Sequence, residues 1–321
     1  MIDLTEENLY TIANTHIHNM RVSEAVSADR RLEAKFHYAT GIWWREVKPF
    51  FYQPAAFMTR IVPRSHTPTW YLAAGGYYHL VPDGAESNGG VTVNEISSPA
   101  SFELEHLKRG VRYRIRSVLK KLSLARIESL DILVRDGYRI YLQWEDKYND
   151  ARVKRSNPDV FQAWSASLLA HPYKLIMGAF DGERLVAFII AEAVEGVGQL
   201  SKTFTDSEYY SLSPASALNY AYLRICGSNS EILKACNGLQ TGNATLEEYK
   251  VSLGYRAVTY PAYISLSAVV RPLVRWFLPT QYKRLMGQAS TDDRKTYVCD
   301  KEAPADQSAA TLHDAQAQRT T

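Results

Sequence analysis

Several side chains in this sequence stand where a charge has work to do. The stretch EEYKVSLGY, residues 247–255, reads as a short helix. Thr245 is placed to cap it, Glu248 to close a capping box and Gly254 to end it. At about 100° per residue, Leu246, Tyr249 and Leu253 form one apolar stripe, and Lys250 falls about 40° from Leu246. Either Lys250 buries its stem and keeps its ammonium in water, or the ammonium works in a cleft. Lys202 poses the same question on a strand, since it shares a side with Leu200 and Phe204 in QLSKTFTD. It is placed to meet a phosphate, or it is a strand-end lysine reaching water. Asp206, just beyond, is placed to hold an acceptor or to pair with Lys202. Glu192 shares a face with Val186, Phe188 and Ile190 in RLVAFIIAEAV. A carboxyl there either is buried or marks the wet end of the strand. Tyr209, Tyr249 and Tyr255 are candidate proton donors or packed rings, among 21 tyrosines.

The elements that must position these residues are most regular in the second half. FQAWSASLLA reads as a helix ended near His171-Pro172. YKLIMGAF and RLVAFIIAEAV read as strands joined by Asp181-Gly182, a hairpin signal. The second is apolar on both faces, as a central buried strand is. QLSKTFTD is a further strand. Ser213-Pro214 opens a helix, with Ser as cap and Pro in the first turn. EILKACNGL is a strand, the 247–255 helix follows, and YRAVTYPAYISL is a last strand. The predicted order is therefore helix, strand, strand, strand, helix, strand, helix, strand. Upstream, residues 1–45 are polar and mixed. FFYQPAAFMTRIVP and WYLAAGGYYHLVP read as strands, and 83–90 as a loop. LEHLKRGVRYRIRSVLKKL reads as a basic helix over 103–122, followed by a strand near 124–134 and a helix from Tyr138. From 288 to 321 few large apolar residues occur, which predicts a disordered tail.

The bulk numbers agree with a folded globular protein. The chain has 321 residues, 46% apolar and 22% charged, with a net charge of +3. That charge is too small to imply nucleic acid by itself. The three cysteines, Cys226, Cys236 and Cys299, have no zinc spacing, and no metal is expected. Their low, odd number fits a reducing compartment. MIDLTEENLY is not a signal peptide and no run of about 18 apolar residues occurs, so a cytoplasmic location is expected.

Three stretches together carry a family resemblance: GAFDGERLVAFIIAEA, LSKTFTDSEYYSLSPASAL and LQTGNATLEEYKVSLGYR. In order and spacing they resemble the GNAT acyltransferase superfamily, and more specifically its CelD-like and FemAB-like branches. The resemblance spans about residues 105–270 and is closest over 173–266. It implies an α/β fold with a mixed central sheet flanked by helices. It also implies a GNAT-like domain at 151–287, and a partner domain at 1–150 that a degenerate GNAT-like half would supply. The implied reaction is N-acylation of an amine on a small molecule, amino sugar or cell-envelope precursor.

By the same resemblance, two neighbouring strands splay to admit an acyl-CoA co-substrate. Ser211, Leu212, Ser213, Ala215 and Ser216, at the helix start after the gap, bind that donor through free backbone N–H groups. The sequence departs from the usual glycine-rich loop, because YSLSPASAL has no glycine. Lys250 matches a lysine that stabilises the tetrahedral intermediate, although Tyr249 stands where Phe is usual. Glu192 matches the region of a general base, which burial would tune by raising its pKa. Lys202, Asp206, Tyr209, Arg112 and Arg116 are the candidate substrate contacts. Two other readings stay open: an aminoacyl-tRNA-dependent transferase of FemAB type, and a non-catalytic protein that keeps the fold for binding. The run 108–126 has eight basic residues and no acid, which suits tRNA or another anionic partner, or is a solvated face. RPLVRWFLPTQYKRLMG, 271–287, is basic and amphipathic, which suits a membrane surface, but Pro272 and Pro279 limit its helix length and favour packing on the domain.

Overall fold

The computed structural model describes residues 4–30, 34–63, 75–148, 155–240 and 243–277, together with 279 and 282. Its centre is a twelve-stranded mixed sheet. The strands are β1 (Asn19–Met20), β2 (Phe36–Ala39), β3 (Ile42–Lys48), β4 (Phe51–Pro54), β5 (Gly76–Leu80), β6 (Gly89–Ile96), β7 (Ser123–Arg126), β8 (Leu175–Asp181), β9 (Arg184–Val194), β10 (Val197–Thr205), β11 (Lys234–Leu239) and β12 (Arg256–Leu266). Their spatial order is 2-3-4-5-12-6-11-10-9-8-7, with β1 beside the end of β9. The helices used below are α1 (Leu4–Asn14), α2 (Val22–Asp29), α3 (Arg109–Lys121), α4 (Tyr138–Tyr148), α5 (Pro158–Ala170), α6 (Pro214–Ser228), α7 (Ala244–Ser252) and α8 (Val270–Phe277). From α5 onward the order of elements is the predicted one.

β9 explains the layering. Residues 185–193 are all buried, because helices cover both faces. Ala187, Ile189, Ala191 and Ala193 pack with α1, α3 and α6, while Leu185, Phe188 and Ile190 pack with α4 and α5. Val186 does not share the face of Phe188. The β8–β9 register shifts beside it, and it joins the α6 side. The predicted strand near 124–134 is only β7, since Ser129 already opens helical backbone that leads through a π turn at Leu133–Gly137 into α4. The boundary expected near residue 150 and the tail at 288–321 lie outside the described residues. The sheet takes strands from both sides of that boundary: β12 inserts between β5 and β6, and β6 pairs β11.

Candidate functional site

The site begins at a break in the sheet. β10 and β11 are parallel neighbours but pair only over Val197–Gln199 and Lys234–Cys236. β10 then stays on β9 as far as Thr205, while β11 stays on β6 as far as Leu239. Register shifts fall between Leu200 and Lys202 on β10 and between Cys236 and Leu239 on β11. Such irregularities bend a strand and increase its twist, which is the physical reason for the divergence. The closed end is held tight by Gly198: a Cβ there would lie 2.7 Å from Cys226 Sγ and 2.9 Å from Tyr222 Oη of α6.

α6 follows β10 and lies beside the gap. Pro214 opens it as expected, but Ser213 does not cap it. Ser213 is left-handed (φ 62°, ψ 52°), and its Oγ pairs with Ser216 Oγ at 2.8 Å. A left-handed turn at a non-glycine residue costs roughly 1–2 kcal/mol, so this chain reaches without glycine a backbone that glycine would adopt freely. Ser213, Ser216 and Asn219 repeat every three residues and form one polar stripe. Ser216 donates to Tyr249 Oη at 3.4 Å. Asn219 Oδ1 accepts from Tyr255 Oη at 3.3 Å and from Asn237 Nδ2 at 2.9 Å. Asn237 is the first β11 residue beyond the ladder with β10. The stripe therefore runs from the helix start to the wall of the gap.

α7 supplies Tyr249 and Lys250. Its cap is Asn243, which accepts from Leu246 N, rather than Thr245. Gly254 (φ 92°) ends it. Lys250 is not a snorkelling lysine, since only 4% of it is exposed. Its Nζ donates to Leu239 O at 3.3 Å, on the β11 wall, and lies 3.6 Å from Glu247 Oε1. Burial lowers its pKa, against the opposing pull of Glu247. Burial pushes the Tyr249 hydroxyl up to about 12, only partly offset by Ser216 and by the nearby Arg114 charge. Tyr249 thus keeps its proton at neutral pH.

Outside the start of α6, Arg114, Ser117 and Lys121 of α3 join Ser211 and Leu212 around an open pocket of about 370 Å³. Arg112 and Arg116 face elsewhere on α3: Arg112 donates to Glu105 O at 3.2 Å and Arg116 pairs with Glu105 at 3.1 Å. The sequence contained the clue, since Arg114 and Lys121 are seven apart and lie on one helix side.

On the face of the sheet opposite α6 lies a cavity of about 240 Å³. Its walls include Gln199, the last residue of the β10–β11 ladder, so it reaches the apex of the gap. Asp29, Glu192 and Glu195 put three carboxylates on the walls, beside Arg45. Glu192 is buried, not wet; Lys174 Nζ lies 2.5 Å from it and 3.0 Å from Asp29. His171 Nε2 is 3.4 Å and Arg45 3.7 Å from Asp29. Burial alone would raise the Asp29 pKa, but His171, Lys174 and Arg45 together bring it down to about 2. Of this cluster the sequence singled out Glu192 alone; no local pattern links it to Asp29, which lies 163 positions before it.

No protein-family model matches the chain, and no curated protein matches it. Solved structures do. The C-terminal domain of a putative lysylphosphatidylglycerol synthetase from Agrobacterium fabrum aligns with a TM-score of 0.51 at 11% identity, over 88% of this chain and 97% of that one. FemX aligns with a TM-score of 0.52 at 7% identity, over 84% of this chain and 97% of its own. At such identities the likeness is one of fold. The fold is GNAT-like.

Within this GNAT-like fold the remaining sequence candidates separate. Lys202 lies on the α4 face, its ammonium 4.9 Å above the Trp144 ring, and it does not bond Asp206. Asp206 is fully buried and accepts from Arg139 at 2.5 Å, Arg184 at 2.9 Å and Gln143 at 3.3 Å. Burial would raise its pKa; the Arg139 hydrogen bond leads the set of contacts that hold it below the usual value. It also accepts from Glu208 N, so it shapes the turn after β10. Tyr209 donates to Asp181 at 2.6 Å. Thus Ser213, Ser216, Tyr249 and Lys250 adjoin α6 and the gap, Glu192 lies behind its apex, and Asp206 and Tyr209 brace the connecting turn.

Proposed function

We propose that the chain transfers an acyl group from an activated, anionic donor, acyl-CoA, to an amine. The observation that carries this reading is the divergence of β10 and β11 beyond Gln199 and Cys236, with a carboxylate-lined cavity at its apex. The donor's thioester enters the gap from the α6 side, its phosphates against the α6 start, Arg114 and Lys121. The acceptor amine, on a small molecule, amino sugar or envelope precursor, enters through the cavity, where Asp29, Glu192 and Glu195 attract it as an ammonium. Glu192 takes its proton. The free amine attacks the carbonyl, Lys250 stabilises the oxyanion, the carbon–sulfur bond breaks, Tyr249 protonates the leaving thiolate, and the proton that the nitrogen sheds on becoming an amide restores Tyr249.

A second reading has its own support. The Agrobacterium neighbour is named for the synthesis of lysylphosphatidylglycerol, an aminoacylated product, and α3 presents an acid-free basic run. In that reading the donor is aminoacyl-tRNA.

Calorimetry with coenzyme A and acyl-CoA distinguishes the two. Micromolar binding that weakens at least tenfold in Arg114→Gln/Lys121→Gln supports the thioester donor. No binding at millimolar ligand overturns it; tight, salt-sensitive binding of charged tRNA would then favour the second reading. With an accepted amine in hand, Lys250→Met should lower kcat about 10²–10³-fold while KM holds, as expected when transition-state charge stabilisation is removed. Unchanged kcat removes Lys250 from the mechanism.

A further inference from the structure

Among the described residues, those after the last strand take no part in the gap or the cavity. α8 follows β12 and has no buried residue. Val270 and Tyr282 pack against the cluster formed by β5, β6 and β12, so the helix is seated on the domain as its prolines suggested. Among the described residues, nothing covers its outer side. Trp276 is 84% exposed, Phe277 73% and Leu273 49%. On helical spacing these three fall within an arc of about 100°, and Arg271 and Arg275 project from the other side. Val269, just before the helix, is 71% exposed. Phe50, 66% exposed, lies at the same end of the sheet: its carbonyl accepts from Gly76 N, and Gly75 O accepts from Ser267 N.

Exposed aromatic and aliphatic side chains at this density mark an interaction surface. Charge decides what covers it. No acidic residue occurs between Glu248 and Asp292, whereas Arg271, Arg275, Lys283 and Arg284 all fall there. A second copy would bring the same cations against these, with no acid in the segment to pair them. An anionic lipid surface has no such conflict. It accepts Trp, Phe and Leu at the depth of the head groups and neutralises the flanking arginines.

We propose that α8 docks this protein on the surface of an anionic lipid bilayer, with Trp276, Phe277 and Leu273 inserted at the interface and Arg271 and Arg275 on the lipid phosphates. The docking is independent of the acyl-transfer reading.

The test is co-sedimentation of the full chain with vesicles of phosphatidylcholine alone and of phosphatidylcholine mixed with phosphatidylglycerol, whose negative surface potential attracts basic segments. The protein should sediment with the anionic vesicles, at least tenfold more weakly with the neutral ones, and less as salt is raised. Trp276→Glu/Phe277→Glu should lose at least tenfold in binding, and Arg271→Gln/Arg275→Gln should lose the preference for anionic lipid. Both pairs lie on exposed positions, and an unchanged unfolding midpoint checks that they fold. Failure to bind either vesicle overturns the proposal, as does equal binding to both. A dimer in sedimentation that Trp276→Glu/Phe277→Glu converts to monomer would instead make a second copy the occupant, and would also overturn it.

Discussion

At the scale of single residues, burial sets the protonation of the candidate groups. Lys250 and Tyr249 are neighbours in the chain, and the same loss of water favours the neutral form of each. For Tyr249 that is a proton donor kept ready. For Lys250 it means that the ammonium is lost at a lower pH than for an exposed lysine. Asp29 is the opposite case, a buried carboxyl whose cationic neighbours outweigh desolvation. Its pKa falls from 3.8 to about 2 on folding. Below about pH 2 both folded and unfolded forms are protonated and the group contributes nothing. Above about pH 4 both are ionised and its contribution is complete, about 2 kcal/mol. Stability should therefore drop as pH falls from about 4 through about 2. In Asp29→Asn, urea unfolding should show a loss of about 2 kcal/mol at pH 7 and a flatter profile below pH 4. A variant as stable as the parent would show that the Lys174 and His171 contacts do not form.

At the scale of elements, the gap depends on α6 lying close to the paired end of β10. Gly198 makes that approach possible, and its neighbours Cys226 and Tyr222 are fully buried and have no room to withdraw. Gly198→Ala should cost about 1–3 kcal/mol, the usual penalty for overpacking, read as a lower urea midpoint. If the midpoint does not move, α6 is free to shift from β10 and the gap has no rigid closed end. The polar stripe Ser213, Ser216, Asn219 belongs to the same scale. It was readable as a three-residue repeat in an apolar helix, but its partners Tyr249, Tyr255 and Asn237 come from other elements.

At the scale of the whole molecule, β12 leaves the second half of the chain and returns between two strands of the first. β11 has β6 as its partner on one side, and beyond Gln199 and Cys236 it has no ladder with β10. A fragment of residues 155–277 would lose β5 and β6, leaving β11 and β12 with unpaired edges prone to aggregation. The full chain should unfold in one cooperative transition, with circular dichroism and tryptophan fluorescence coincident, and the fragment should not fold by itself. Two separated transitions, or a soluble folded fragment, would show that the halves are independent.

What the sequence determined by itself was local. Period-two and period-3.6 patterns, the Asp181-Gly182 turn, Pro214 and Gly254 depend on neighbours a few residues away. They specified the element order from α5 to β12 and, with the resemblance, the GNAT-like fold. The tertiary structure decided the rest. Lys250 turned out buried on Leu239 O, because helical spacing gives a direction but not what lies there. Arg114 and Lys121, rather than Arg112 and Arg116, border the start of α6, because that choice depends on how α3 rolls against α6. The Asp29–Lys174–Glu192 cluster and the ladder that ends at Gln199 exist only through contacts between distant parts of the chain, and no local pattern encodes such contacts.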